Sequence, residues 1–86
     1  MSRFDDAAAR RYARLALNVE NANTGYAQGY ITRKPRTVDQ EAVWLVNRWF
    51  ADVYGWPLNP RERAQYQDFL ARVRQQISFL RLQESR

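Results

Sequence analysis

The sequence predicts an all-α fold: a small three-helix domain with a long irregular loop between the first two helices. Three observations point there. Apolar residues recur at helical spacing in three separate stretches. Two of those stretches open on good cap residues, Thr37 and Asn59. The segment between the first two has no helical periodicity and carries Gly25 and Gly29. With 86 residues the chain is read as one domain spanning 1–86. A chain of this size buries only about 60–65% of the surface its unfolded form exposes, so its core is small.

The first helix is placed over residues 2–18. Ala7, Ala8 and Ala9 are strong helix formers. Ala8, Tyr12, Leu15, Ala16 and Val19 share one face and are the expected core contacts. Asp5 and Asp6 fall in the first turn, where the helix dipole favours negative charge. Asn18, Asn21 and Asn23 mark the end.

The loop covers residues 20–36. Structureless loops of that length are uncommon in compact domains and are usually functional or contain hidden structure. Tyr26 to Thr32 is compatible with a short β-hairpin turning at Ala27-Gln28-Gly29, although two strands alone are marginal.

The second helix is assigned to 37–55 and carries the strongest signals. Thr37 with Gln40 three residues on is a capping box. Ala42, Val43, Val46, Trp49, Phe50 and Val53 make a wide apolar face. Gly55 suits the C-terminal cap. After the connector Trp56-Pro57-Leu58-Asn59-Pro60, the third helix is expected over 60–83, with Asn59 as N-cap and Pro60 at its first position. Its main seam is Tyr66, Phe69, Leu70, Val73, Ile77 and Leu80. The short connector makes helices 2 and 3 a hairpin, and helix 1 closes the groove between them.

Composition narrows function. The chain has no Cys and no His. That removes disulfides, thiolate metal sites, Cys nucleophiles, the commonest metal ligand and the commonest base near neutral pH. The acids are scattered, the single Lys lies in the loop, and Ser2, Ser78 and Ser85 sit in no catalytic motif. Gly25 and Gly29 match no nucleotide-binding pattern. The expectation is therefore a non-enzyme without metal or cofactor. No apolar run approaches the roughly 18 residues of a membrane span, and the opening residues do not read as a signal peptide. The expected location is the cytoplasm.

The net charge is +5, from thirteen Arg and one Lys against nine acids. Arg runs through the whole chain, which favours GC-rich codon usage as its origin. Arg is also the better residue for binding carboxylates and phosphates and for stacking on aromatics.

Four features stand out as partner-binding candidates. Trp44 lies opposite the apolar face of helix 2, next to Arg48. An aromatic beside an Arg is typical of interaction hot spots, unless helix 1 or the loop covers it. Ala64, Ala71 and Ser78 recur every seven residues on helix 3, with Phe79 and Leu82 on the same side. This stripe either receives helix 1 or serves a partner or a second copy of the chain. Arg33, Lys34 and Arg36 follow Tyr26 and Tyr30 in the loop, a mixture that suits phosphates and unpaired bases or an acidic protein groove. Asp6, Arg10 and Arg14 form a row on helix 1. Asp6 and Arg10 are a favourable i,i+4 pair, and Arg10, Arg14, Arg33 and Arg36 are candidate phosphate contacts.

A helix-turn-helix reading of helices 2 and 3 fits poorly, because the Trp-Pro-Leu-Asn-Pro turn lacks the usual short glycine-containing pattern. The reading that joins these features is a non-catalytic protein that binds another macromolecule. The expected partner is a protein or ribonucleoprotein complex, with the chain acting as inhibitor, adaptor or assembly component, as accessory proteins of bacteria and phages do. The alternative is a basic nucleic-acid-binding protein that uses Arg on the phosphate backbone. Homodimerisation through helix 3 is a further expectation.

Overall fold

The computed structural model describes residues 3–20 and 36–84. The proposed hairpin and most of the loop, residues 21–35, lie outside the described residues. Among the described residues the fold is three helices: α1, Asp6–Leu17; α2, Val38–Tyr54; and α3, Pro60–Glu84.

The caps explain the boundaries. Helix α1 starts at Asp6, later than the predicted residue 2, because the Asp5 side chain accepts a hydrogen bond from the Ala8 N–H at 2.9 Å. Asp5 is thus the N-cap, and Phe4 is left outside the helix. At α2 the capping box is complete. The Thr37 side chain accepts from the Gln40 N–H, and the Gln40 side chain accepts from the Thr37 N–H, both at 3.0 Å. Helix α3 repeats the device: Asn59 Oδ1 accepts from the Glu62 N–H and Glu62 Oε1 accepts from the Asn59 N–H. Each cap satisfies donors that the first helical turn leaves unpaired. Gly55 ends α2 at φ 78°, a left-handed value that only glycine adopts without strain.

Cross-helix contacts fix the directions. Asp39 near the start of α2 meets Arg74 of α3, and Tyr54 at the end of α2 donates to Gln65. Helices α2 and α3 therefore run antiparallel. Asp6, Arg10 and Glu20 meet Arg72, Gln76 and Arg81 in that order, so α1 runs parallel to α3. The result is an up-down-up bundle. Helix α1 ends on the side where α2 begins, and antiparallel neighbours of that kind need only about 2–8 connecting residues. Residues 18–37 are far more than closure requires.

The core splits into two parts. Along α1 it is a stripe of alanines: Ala9, Ala13 and Ala16 are fully buried, with Ala8 and Val19 beside them. Small side chains let α1 approach both partners closely. The expected contact from Leu15 is corrected here, since Leu15 is 45% exposed. Ala9 and Ala13 replace it, because the volume at the helix crossings is already filled by large residues of α2 and α3. Of the predicted faces of α2 and α3, Ala42, Val46, Phe50, Phe69, Leu70, Val73, Ile77 and Leu80 are buried. Val43, Trp49 and Tyr66 are half-buried against them, and Val53 is half-buried outside the core cluster.

The second part is aromatic. The Phe4 ring stacks on Phe50 at 4.3 Å, meets Trp49 edge-on at 4.7 Å and lies 5.5 Å from Phe69. Tyr12 stacks on Trp49 at 4.8 Å, and Tyr66 meets Phe50 edge-on at 5.5 Å. All three helices thus contribute rings to one cluster, with Phe4 as its plug. Such pairs contribute about 0.5–1.5 kcal/mol each beyond area burial. Burial pushes the phenol groups of Tyr12 and Tyr66 above their ordinary value.

Ion pairs line the seams. Arg74 binds both carboxylate oxygens of Asp39, with distances of 2.7 and 3.2 Å. Arg72 reaches Asp6 and Asp68, and Arg81 reaches Glu20. The predicted Asp6–Arg10 pair does not form. Asp6 faces Arg72, and Arg10 donates to Gln76 at 3.3 Å. The buried carboxylate of Glu41 is met by Arg36 at 3.3 Å, as a charge held away from water requires.

Two predictions follow from this packing. Phe4→Ala should cost about 2 kcal/mol or more, while Leu15→Gln should stay within about 0.5 kcal/mol of the parent. Urea unfolding of both variants measures the difference, and equal midpoints would remove Phe4 from the core. The second concerns acid. Hydrogen bonds from Arg74, followed by its charge, hold the Asp39 carboxyl below the usual carboxylate range. A lowered folded-state value means the stabilisation is complete above about pH 4 and fades as pH falls through the lower value. The pair is exposed to water, so its contribution is at most about 0.2–1 kcal/mol. Asp39→Asn should flatten the stability curve below about pH 4, and an unchanged slope there would contradict the pairing.

Candidate functional site

Helix α2 has two faces. Ala42, Val46 and Phe50 point into the core. Trp44, Asn47, Arg48 and Ala51 follow the spacing i, i+3, i+4, i+7 and form the outer stripe. Trp44 is 45% exposed, so α1 does not bury it. Its ring is flanked by two guanidinium groups, Arg36 at 5.4 Å and Arg48 at 5.5 Å from the centroid. Contacts of this kind contribute about 0.5–1 kcal/mol at exposed sites and hold the indole in place.

The stripe continues into the connector. Trp56 is 63% exposed and shares a shallow depression with Trp44, Asn47, Arg48 and Ala51. On its other side a second depression of about 370 Å³ is walled by Trp56, Pro57, Leu58 and Tyr66. Asn47, Arg63 and Gln67 complete its rim. The two depressions meet at Asn47 and Trp56. The charged residues lining them are Arg48 and Arg63, with no acid among them.

Trp56 was not among the residues singled out from the sequence. It lies in a connector, where helical periodicity assigns no face. One signal was available. Leu58 directly precedes the N-cap Asn59, a position where an apolar residue commonly packs back on the domain. Leu58 is buried and anchors the connector, and Trp56 is left at the surface. The Trp56–Pro57 peptide bond is cis.

The other sequence candidates fall elsewhere. Arg10 and Arg14 line a separate depression with Arg11, Leu15 and Asn18 on the outer face of α1. The Arg11 guanidinium lies over the Tyr12 and Trp49 rings, at 5.5 and 5.9 Å. Phe79 and Leu82 on α3 are 51% and 66% exposed, and Ala64, Ala71 and Ser78 beside them are exposed as well. The expectation that α1 packs on this stripe is corrected. Helix α1 meets α3 along Phe69, Arg72 and Gln76 instead, where Phe4, Asp6 and Arg10 find their partners. Arg36 sits over Trp44, with its charge set against Glu41. Tyr26, Tyr30, Arg33 and Lys34 lie outside the described residues.

Among the described residues, no group of three or more acidic side chains could hold a metal ion, and no helix is long and apolar enough to cross a membrane. No protein-family model, curated protein or solved structure matches the chain.

The site makes a spectroscopic prediction. The chain has three Trp. Replacing Trp44 and Trp56 together by Phe leaves Trp49, packed among Phe4, Tyr12 and Phe69. Its emission should shift to shorter wavelength and resist acrylamide quenching better than the parent. Quenching as strong as in the parent would mean that the two replaced indoles were no more accessible than Trp49.

Proposed function

We propose that the chain is a non-catalytic binding protein that acts on another macromolecule, most directly a protein or a ribonucleoprotein complex, by occlusion, bridging or assembly. The observation that carries this reading is the pair of exposed indoles, Trp44 and Trp56, around one depression edged by Arg48. Trp and Arg dominate binding hot spots, because they bring large contact area and planar hydrogen-bonding groups at low entropic cost. A domain with a small core gains little from leaving two indoles in water.

A second reading rests on a different surface. Arg10, Arg11 and Arg14 share one depression on α1, and none of them has a carboxylate partner among the described residues. Three guanidinium groups within two turns can neutralise phosphates. Duplex DNA, single-stranded DNA and RNA titrated at two salt concentrations test it. Tight binding that falls steeply with salt supports phosphate contact there, and no binding at physiological salt leaves the protein reading alone. Self-association through Phe79 and Leu82 is tested by sedimentation of Phe79→Ser and Leu82→Ser. Unchanged sedimentation counts against it.

For the main reading, Trp44→Ala should weaken binding to a captured partner by more than about 1 kcal/mol while leaving Tm nearly unchanged. Titration calorimetry and thermal unfolding of the same preparations check both halves. A large fall in Tm would instead make Trp44 a structural residue.

A further inference from the structure

The two depressions that meet at Asn47 and Trp56 have a definite chemistry. Trp44 and Ala51 line one, and ring and aliphatic surface from Trp56, Pro57, Leu58 and Tyr66 walls the other. Asn47 and Gln67 add neutral hydrogen-bonding groups. Among the residues lining the two depressions the formal charges are those of Arg48 and Arg63, while Arg36, paired with Glu41, lies over Trp44.

Elsewhere the described arginines divide: Arg10, Arg11 and Arg14 have no carboxylate within ion-pair distance among the described residues, whereas four others do. Arg36, Arg72, Arg74 and Arg81 are each within ion-pair distance of a carboxylate. Arg48 has Asp52 four residues further along α2, a spacing at which side chains can meet. No ion pair forms between them, and the Arg48 guanidinium lies over Trp44 instead. Arg63 likewise has no carboxylate within reach among the described residues. Two cations with no carboxylate in ion-pair distance among the described residues therefore border adjoining depressions that no acid lines.

We propose that this surface docks an acidic segment of a partner protein. An apolar side chain of the segment seats against Trp56, and flanking carboxylates pair with Arg48 and Arg63. This names the partner chemistry of the site described above and rests on that reading. Complementary charge suppresses wrong partners and speeds encounter, while the buried aromatic anchor supplies affinity. Asn47 and Gln67 are suited to the segment's backbone amides. A nucleic-acid strand fits less well. Its affinity comes mainly from many neutralised phosphates, and this edge offers two cations beside a mostly apolar wall.

The test is selection of short random-sequence peptides displayed on phage against the immobilised full chain. Enriched peptides are then synthesised and titrated against the parent and against variants. The expected peptides carry two or more Asp or Glu around one Trp, Phe or Leu. Their affinity should fall about tenfold or more in the double variant Arg48→Glu, Arg63→Glu, with the melting curve little changed. No enrichment, or enriched peptides bound equally by the charge-reversed variant, overturns the proposal. Neutral or basic peptides that lose binding in Trp56→Ala would overturn the acidic partner while keeping the site. Peptides indifferent to both Trp44→Ala and Trp56→Ala would overturn the site itself. A single-stranded oligonucleotide that binds the parent and is lost in those two variants would replace the protein partner with a nucleic acid.

Discussion

The structure depends on one aromatic cluster. A three-helix domain of this length has few large aliphatic side chains, and the α1 interface is built mainly from alanine. Alanine permits close approach but buries little area. The missing area comes from Phe4, Trp49, Phe50 and Phe69, which meet where the ends of α1, α2 and α3 converge. Phe4 is decisive because it lies outside its helix. Asp5 caps α1 and turns the chain, so the Phe4 ring reaches across to α2 and α3. The cap and the plug work together. Without the first the ring is not aimed, and without the second the alanine seam has little to hold it closed.

That arrangement also decides what is left outside. Of the indoles, Trp49 belongs to the cluster, whereas Trp44 and Trp56 do not. The arginines divide in the same way. Three at the helix seams face acids, Arg72 with Asp6, Arg74 with Asp39 and Arg81 with Glu20, while Arg10 faces Gln76. Those on the outer faces, Arg14, Arg48 and Arg63, line open depressions. Part of the positive charge thus sets register between helices, and Arg14, Arg48 and Arg63 are presented to solvent. Codon usage can explain why these residues are Arg rather than Lys. It does not explain why Arg72, Arg74 and Arg81 are matched to carboxylates while Arg48 and Arg63 are not.

Much of this was legible in the sequence, for identifiable reasons. Thr37, Gln40, Asn59 and Pro60 are local signals with local consequences, so both later helix starts could be read within a residue. The faces of α2 and α3 follow from strong periodicity in large residues. Helix α1 was harder. Three consecutive alanines give no phase, so Leu15 looked like a core residue, and its rotation was set by tertiary contacts. Phe4 was invisible because its partners are more than 40 residues away. Trp44 could be placed on the outer face by counting, but whether another segment covered it could not. Trp56 was missed because a connector has no period. The placement of the Phe79 and Leu82 stripe depended on where α1 docks, which the sequence left open between two surfaces of α3.

The central claim is that Phe4 closes the core and leaves Trp44 outside it. Ring-proton NOEs in solution test this most directly. The account predicts cross-peaks from the Phe4 ring to the rings of Trp49 and Phe50, and cross-peaks from the Trp44 indole to the side chains of Arg36 and Arg48. Cross-peaks from the Trp44 indole to the alanine methyls of α1, with none from Phe4 to Phe50, would place Trp44 in the core and contradict both the packing and the site built on it.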